Sequence, residues 1–233
     1  MRKTYKHIFF DLDHTLWDYE KNSHETLTEL YYHYRLYEFN RFTADELIER
    51  FSLINRKLWR QFNDGKVTAS YLRKKRFLDV FDSLGLARAV VPESFTDDYV
   101  RLCPTKTNLI PYTLEMLDYL KEKQYKLHII TNGFRDVQHI KLSKSNLSDY
   151  FTEIVTSDCT GFKKPHKQIF AFLLDKAKAE QGECIMVGDN LEADILGARN
   201  MKIDQVYYNR HNLKHKESPN FEITCLSELQ KIL

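Results

Sequence analysis

The chain has 233 residues, 42% of them hydrophobic, enough for one large domain or two modest ones. Its 35 Lys and Arg against 33 Asp and Glu give a net charge of +2 with both signs interspersed, which argues against a nucleic-acid-polymer or membrane surface but not against a small anionic substrate. Cys103, Cys159, Cys184 and Cys225 form no CxxC pair, so neither a disulfide framework nor a zinc-thiolate site is expected. The start, MRKTYKHIFF, has too short an apolar run for a signal peptide, and no stretch approaches a membrane span; a cytoplasmic protein is expected.

The first predicted element is the strand KHIFF, which runs into Asp11 and Asp13. Aspartate is a poor strand former and expensive to bury. One reading makes Asp11 a turn residue and Asp13 a cap. If the extended conformation persists, both carboxylates lie on one side, and two like charges ~4 Å apart repel by about 4 kcal/mol at an intermediate dielectric. They then coexist ionised only with a cation between them, or else one holds a proton.

Residues 17–105 follow a helical grammar. NSHETLTELYYHYRLYEF, TADELIERFSLINRKLWRQFN and VTASYLRKKRFLDVFDSL carry apolar residues at helical spacing. Thr43 and Glu46 predict a capping box at the second helix, Gly65 and Gly85 punctuate the block, and Pro92 predicts another short helix. Such an insert after the first strand is expected to form a separate cap over the strand ends, hinged near Trp17 to Glu20 and Cys103 to Asn108.

From residue 106 the chain alternates. YKLHIIT, FTEIVTS, ECIMVGD, IDQVYYN and FEITCL are predicted strands; VQHIKLSKSNL, KQIFAFLLDKAKAE, LEADILGARNM and a last short segment are predicted helices. The pattern is α/β, a doubly wound, mainly parallel sheet with helices on both faces. Sites in such sheets form beyond the carboxyl ends of the strands, where Asp11, Thr131 and Asp189 fall.

Four stretches then need one explanation: DLDHTL, ITNG at 130–133, KKPHKQIF at 163–170 and GDNLEADI at 188–195. Each alone reads as a turn or helix start; their order and placement at strand ends make coincidence improbable. Together they resemble the haloacid dehalogenase superfamily, specifically its phosphatases with an inserted helical cap. The resemblance implies a Rossmann-like core of residues 1–16 and 106–233 and an all-helical cap of residues 17–105. It implies Asp11 as nucleophile, Asp13 as general acid/base, and Lys164 as the catalytic cation. Thr131, Asn132 and Lys164 become phosphate ligands. Magnesium falls to Asp11, the main-chain carbonyl of Asp13, Asp189 and Asp194, with Asp194 binding directly, through water, or orienting Lys164 instead. Lys164 is preferred to Lys163 because the family lysine directly precedes proline.

The chemistry is consistent. A carboxylate nucleophile splits one hard displacement into two easier ones, an acid/base is typically worth ~10²–10⁴-fold, and Mg²⁺ takes hard oxygen ligands. An aspartate at position 13 favours phosphate esters over halides, which leave unprotonated. His14 is read as local hydrogen bonding, and His211 with His215, despite helical metal-ligand spacing, as surface. The longer opening DLDHTLWDYEKNS resembles the noncanonical pyrimidine nucleotidase branch, which implies a 5′-nucleotidase for pyrimidine (deoxy)nucleoside monophosphates. Aromatic residues of the insert, counting Trp17 and Trp59 there, are read mainly as bundle core that could also stack a base. The alternatives are a phosphatase of a sugar phosphate or phosphoglycolate, a phosphomutase, and a silent binding protein; intact Asp11, Asp13, Lys164 and Asp189 argue against the last.

Overall fold

The structure is a computed structural model and describes residues 4–233. The chain divides into two compact units, one formed by the chain up to Tyr19 with Thr107–Leu233, the other by Glu20–Lys106.

The second unit is helical: α1 (Tyr19–His33), α2 (Ala44–Asn63), α3 (Ala69–Ser83) and α4 (Phe95–Leu102). The capping box expected at α2 is present. The Glu46 N–H donates to Thr43 Oγ1 at 3.2 Å, and the Thr43 N–H donates to Glu46 Oε2 at 2.7 Å; such a cap stabilises by roughly 1 kcal/mol. Phe51, Phe77, Phe81 and Phe95 are fully buried and meet edge-on or stacked, which fixes how the helices pack. Arg76 is buried among them, its guanidinium over the rings of Phe51, Phe77 and Tyr99 and donating to Asn55 Oδ1 at 3.3 Å.

The first unit holds one sheet of six strands: β1 (His7–Phe10), β2 (Lys126–Thr131), β3 (Phe151–Thr156), β4 (Cys184–Gly188), β5 (Asp204–Tyr208) and β6 (Phe221–Ile223). Their spatial order is β3-β2-β1-β4-β5-β6, and every ladder is parallel. With it come α5 (Thr113–Glu122), α6 (Arg135–Lys144), α7 (Ser157–Thr160), α8 (Lys167–Ala177) and α9 (Gly197–Asn200). HIFF and CIMVG are buried at every position, as strands covered on both faces must be. Phe9, Ile130, Ile169, Phe170, Leu173 and Met186 pack into one core on a single face.

Register matters more than content here. Phe10 lies level with Ile129 of β2 and Val187 of β4, and the Asp11 N–H donates to the Val187 carbonyl at 3.0 Å. The three strands therefore end within two residues of one another at the point where the strand order reverses, the crevice such sheets offer to ligands. The segments on either side of the insert are tied together: the Asp18 N–H donates to the Asn108 carbonyl at 3.0 Å, and the Ile110 N–H to the Leu16 carbonyl at 2.9 Å. Trp17, counted above with the helical insert, belongs to the α/β unit, where it pairs with Leu109 and is fully buried. FEITCL is strand only as far as Ile223, because the Glu228 carboxylate accepts the N–H groups of Thr224 and Cys225 and turns the chain into a last 3₁₀ helix. Among the described residues no helix is long and apolar enough to cross a membrane.

Two histidines are buried between β1 and β2. His7 Nδ1 and His128 Nε2 lie 3.0 Å apart in stacked rings, with Phe9 edge-on to His128. Burial first, and then the neighbouring His7, push His128 from its ordinary 6.5 down to about 4; burial also lowers His7. Glu183, 3.8 Å from His7 Nε2, pulls the other way, while Lys6 and Lys126 add to the lowering. The unfolded chain thus takes up protons before the folded one, so this stabilisation is complete above pH 6.5 and is lost as pH falls toward about 4. Urea midpoints measured across that window should fall with acid, and the fall should be shallower for His128→Leu.

Candidate active site

The site is built around a buried ammonium. Lys164, 2% exposed, donates from Nζ to Asp11 Oδ1 at 2.7 Å and to Asp194 Oδ1 at 2.6 Å. Burial works against its charge, but the two carboxylates outweigh it and raise the lysine pKa. The Lys164 main chain is clamped as well: its N–H donates to Asn132 Oδ1 at 2.7 Å, and Asn132 Nδ2 donates to its carbonyl at 3.0 Å. The side chain of Asn132 therefore fixes the loop that carries Lys164. Thr131, at the end of β2, is buried, and its hydroxyl oxygen accepts the Gly133 N–H at 3.1 Å, which leaves the hydroxyl proton to be donated elsewhere.

Asp189 and Asp194 follow β4. The predicted helix LEADILGARNM opens instead as a wide π-helical turn, Leu191–Leu196, before α9. The Asn190 carbonyl accepts from both the Asp194 and Ile195 N–H groups, and the Asn190 side chain caps Glu192 and Ala193. Turns of this type recur at functional sites because they re-aim one side chain. Here it is Asp194, fully buried and folded back over Gly188, with its second oxygen accepting the Asn190 N–H at 3.0 Å. A Cβ at Gly188 would lie 2.3 Å from Asp194 Oδ2, so only glycine leaves room.

Asp11, Asp189 and Asp194 bring carboxylate oxygens within 4.8 Å of one another. Burial foremost raises Asp11 from 3.8 to about 6, against Lys164 and with help from Asp194. Asp189 rises to about 8, again chiefly by burial and then by Asp11. One ammonium facing three carboxylates leaves the cluster short of positive charge. A set of hard oxygen donors with that deficit fits a divalent cation such as Mg²⁺.

Asp13 has a different environment. Strand pairing stops at Phe10, and His14 adopts a left-handed turn, φ 64°, with its N–H donating to the Trp17 carbonyl at 3.0 Å. Such backbone costs about 1–3 kcal/mol and tends to collect at functional sites. Asp13 Oδ1 accepts from Lys141 Nζ at 2.5 Å and Oδ2 from Gln138 Nε2 at 3.0 Å. Burial works against its charge, yet Lys141 and both hydrogen bonds hold Asp13 below the usual carboxylate range. Lys141 in turn sits 4.4 Å above the Trp17 ring. The carboxylates of the two opening aspartates each have a lysine of their own.

Of the residues singled out from the sequence, Asp11, Lys164, Asp189 and Asp194 converge, and Asn132 and Thr131 sit on the loop beside them. Lys163 is half-buried next to the site lysine. His211 is exposed and His215 turns inward to Glu222 at 3.2 Å in a loop, so their spacing is not helical. Sequence reasoning missed Gln138 and Lys141, whose signal was two long polar residues three apart on α6, both buried. It also missed Thr15, fully buried, whose hydroxyl donates to Asp189 Oδ1 at 3.4 Å.

The family model of haloacid dehalogenase-like hydrolases matches residues 8–208. The pyrimidine 5′-nucleotidase YjjG of Escherichia coli (strain K12) is 30% identical over 97% of this chain and 96% of its own. The pyrimidine 5′-nucleotidase PynA of Streptococcus pneumoniae (strain ATCC BAA-255 / R6) is 28% identical over 97% and 93%. Among solved structures, the HAD-hydrolase YfnB of Bacillus subtilis, bound to magnesium, superposes with a TM-score of 0.86 at 28% identity, covering 99% of both chains.

The close approach at Gly188 can be tested directly. Gly188→Ala should lower the unfolding free energy by about 1–3 kcal/mol, because Asp194 must move and strain the buried triad. Gly182→Ala, where an added Cβ meets nothing within 4 Å, should stay within about 0.5 kcal/mol of the parent in the same denaturant titration.

Proposed function

Because the chain belongs to the haloacid dehalogenase-like hydrolase family, we propose that it is a magnesium-dependent phosphatase of pyrimidine nucleoside 5′-monophosphates, working through an aspartyl-phosphate. The observation that carries the reading is the separation of two neighbouring carboxylates: Asp11 bound to buried Lys164 beside Asp189, and Asp13 bound to Lys141 and Gln138. Lys164 and a bound cation would keep Asp11 ionised as a nucleophile, while Asp13, outside that cluster, is left to exchange protons. The substrate class rests on YjjG and PynA, both pyrimidine 5′-nucleotidases.

Asp11, Asp189 and the Asp13 carbonyl would hold Mg²⁺, which supplies positive charge to the phosphoryl oxygens when bound. Asp194 already spends its two oxygens on Lys164 and the Asn190 N–H, which favours a role through Lys164 or a water over direct ligation. Lys164 and the Thr131 hydroxyl orient the phosphoryl group, with Asn132 fixing Lys164 from behind. Asp11 attacks phosphorus and the nucleoside leaves, taking a proton from Asp13. Water then attacks phospho-Asp11 while Asp13 accepts its proton. The structure holds Asp13 in the ionised form that enters this second half; the first half requires it to take up a proton.

Inorganic phosphate release tests the assignment. Over a panel of nucleoside monophosphates and sugar phosphates, kcat/KM should be at least about 10-fold higher for pyrimidine nucleotides, a difference of about 1.4 kcal/mol. Activity should vanish on chelation and return with Mg²⁺. A sugar phosphate leading the panel would overturn the substrate class, and chelator-resistant turnover would overturn the metal.

Single-turnover kinetics separate the two aspartates. Asp11→Asn should form no phosphoenzyme from any substrate. Asp13→Asn should slow phosphoenzyme formation from a nucleotide by roughly 10²–10⁴-fold, but much less from nitrophenyl phosphate, whose leaving group departs without protonation. Equal losses for both substrates would remove the distinction.

A further inference from the structure

Arg76, on α3, is a buried cation without an anion. It is 5% exposed, and among the described residues its guanidinium makes no ion pair. Every other buried lysine or aspartate described there bonds an opposite charge: Lys141 with Asp13, Lys164 with Asp11 and Asp194, and Asp18 with Arg210. Asp79, three residues on, is bound by Lys75, and Asp98, beside Tyr99, by Tyr34 and Arg101. Of the guanidinium nitrogens, Nη1 donates to Asn55 Oδ1 at 3.3 Å, a neutral acceptor at a distance longer than most. Nε is enclosed and has no partner. Nη2 has none either but is not enclosed, so it is the donor left in contact with solvent. Three rings hold the group in place. Its carbon lies 4.8 Å from the Tyr99 centroid, 5.2 Å from that of Phe77 and 5.5 Å from that of Phe51. Tyr99 is fixed in turn, its hydroxyl 2.9 Å from Ser23 Oγ. Aromatic faces stabilise the positive charge but give its N–H groups no oxygen to bond.

Packing alone does not call for an arginine at this position. An apolar side chain of similar length would fill the space between the rings and leave no charge uncompensated. What the group lacks is a negative oxygen from outside the fold. We propose that Arg76 is the anion-binding group of the helical unit, its Nη2 donating to an oxygen of a small carboxylate or phosphate that supplies the missing counter-charge. A hydrogen bond between two charged groups is roughly twice as strong as a neutral one, and a guanidinium already held by three rings loses little freedom in making it. The ligand is small because one nitrogen is open to it while Nε is enclosed. The site lies wholly in the Glu20–Lys106 unit. It is distinct from the Lys164 cluster, whose ammonium is already bonded to two carboxylates. The inference goes beyond the phosphatase reading and does not depend on it. Two sources supply such an oxyanion: an acidic substituent on the substrate, or a free anion that acts as an effector.

The test reads the Arg76 Nε–H resonance, which enclosure shields from exchange with water, in the full chain labelled with ¹⁵N-arginine. The signal is assigned as the one lost in Arg76→Lys. Inorganic phosphate or acetate, titrated against chloride at equal ionic strength, should shift it to saturation. Asn55→Asp places a carboxylate where Oδ1 now meets Nη1 and so provides an internal counter-ion. In that variant the anion should bind at least about 10-fold more weakly, or not at all. The resonance moved by Asn55→Asp itself is the same one, which carries the assignment if the lysine variant does not fold. Dispersion of the spectra shows that each variant is folded, whatever its activity. The source is decided by kcat/KM with Mg²⁺ for orotidine monophosphate, whose base carries a carboxylate, against uridine monophosphate. If the substrate brings the anion, Arg76→Met should lower the ratio of the two by about 10-fold. A saturable shift with an unchanged ratio assigns the site to a free anion, and either result supports the proposal. No saturable shift with phosphate or acetate, or an equal shift in Asn55→Asp, would overturn it. These resonances do not depend on turnover, so a failure to release phosphate from nucleotides would count against the phosphatase reading alone.

Discussion

The Lys164 ammonium, buried between Asp11 and Asp194, is the interaction on which the site depends. Removing one partner from such a buried group typically costs 3–5 kcal/mol, because a charge is left without compensation. The three residues come from the end of β1, the loop before α8 and the π-helical turn after β4, so the ion triad forms only when all three are in place. Asn132 adds a fourth segment by clamping the Lys164 main chain. The near-level endings of β1, β2 and β4 are what bring Asp11 within bonding distance of Lys164, 153 positions further along the chain.

The same unit solves the problem of two aspartates separated by one leucine through divergence. Asp11 faces Lys164 and two further carboxylates, and burial raises it toward neutral pH. Asp13 leaves through the left-handed turn at His14 and meets Lys141 and Gln138, which hold it ionised. Like groups two positions apart thus sit in different environments, and the proposed division into nucleophile and acid/base rests on that difference of partners. The left-handed backbone at His14 is a local conformational cost that goes with this arrangement.

The helical unit follows ordinary packing rules and was correspondingly readable. Its capping box and helical periodicity are local signals, carried within four residues. Arg76, buried over three rings and bonded to Asn55, was not readable, since a lysine- and arginine-rich stretch such as LRKKRF looks like a solvated face until its partners are known.

Sequence alone determined the α/β alternation and the strand ends at Asp11, Thr131 and Asp189, whereas the grouping of Lys164 and Asp194 with them came from the resemblance to a family. The alternation and the strand ends rest on short-range signals: apolar runs of strand length, and polar residues placed just beyond them, where a parallel sheet must bring its carboxyl ends together. Tertiary structure alone decided that Asp13 has a lysine of its own, that Asn132 holds Lys164 by its main chain, and that Trp17 lies in the α/β unit beneath Lys141. It also decided that LEADIL opens as a π-helical turn and that FEITCL ends as a strand at Ile223. The physical reason is common to all of them. Each depends on a partner supplied by another segment, or on one carboxylate or carbonyl capturing a backbone N–H, and neither leaves a periodic trace in the chain.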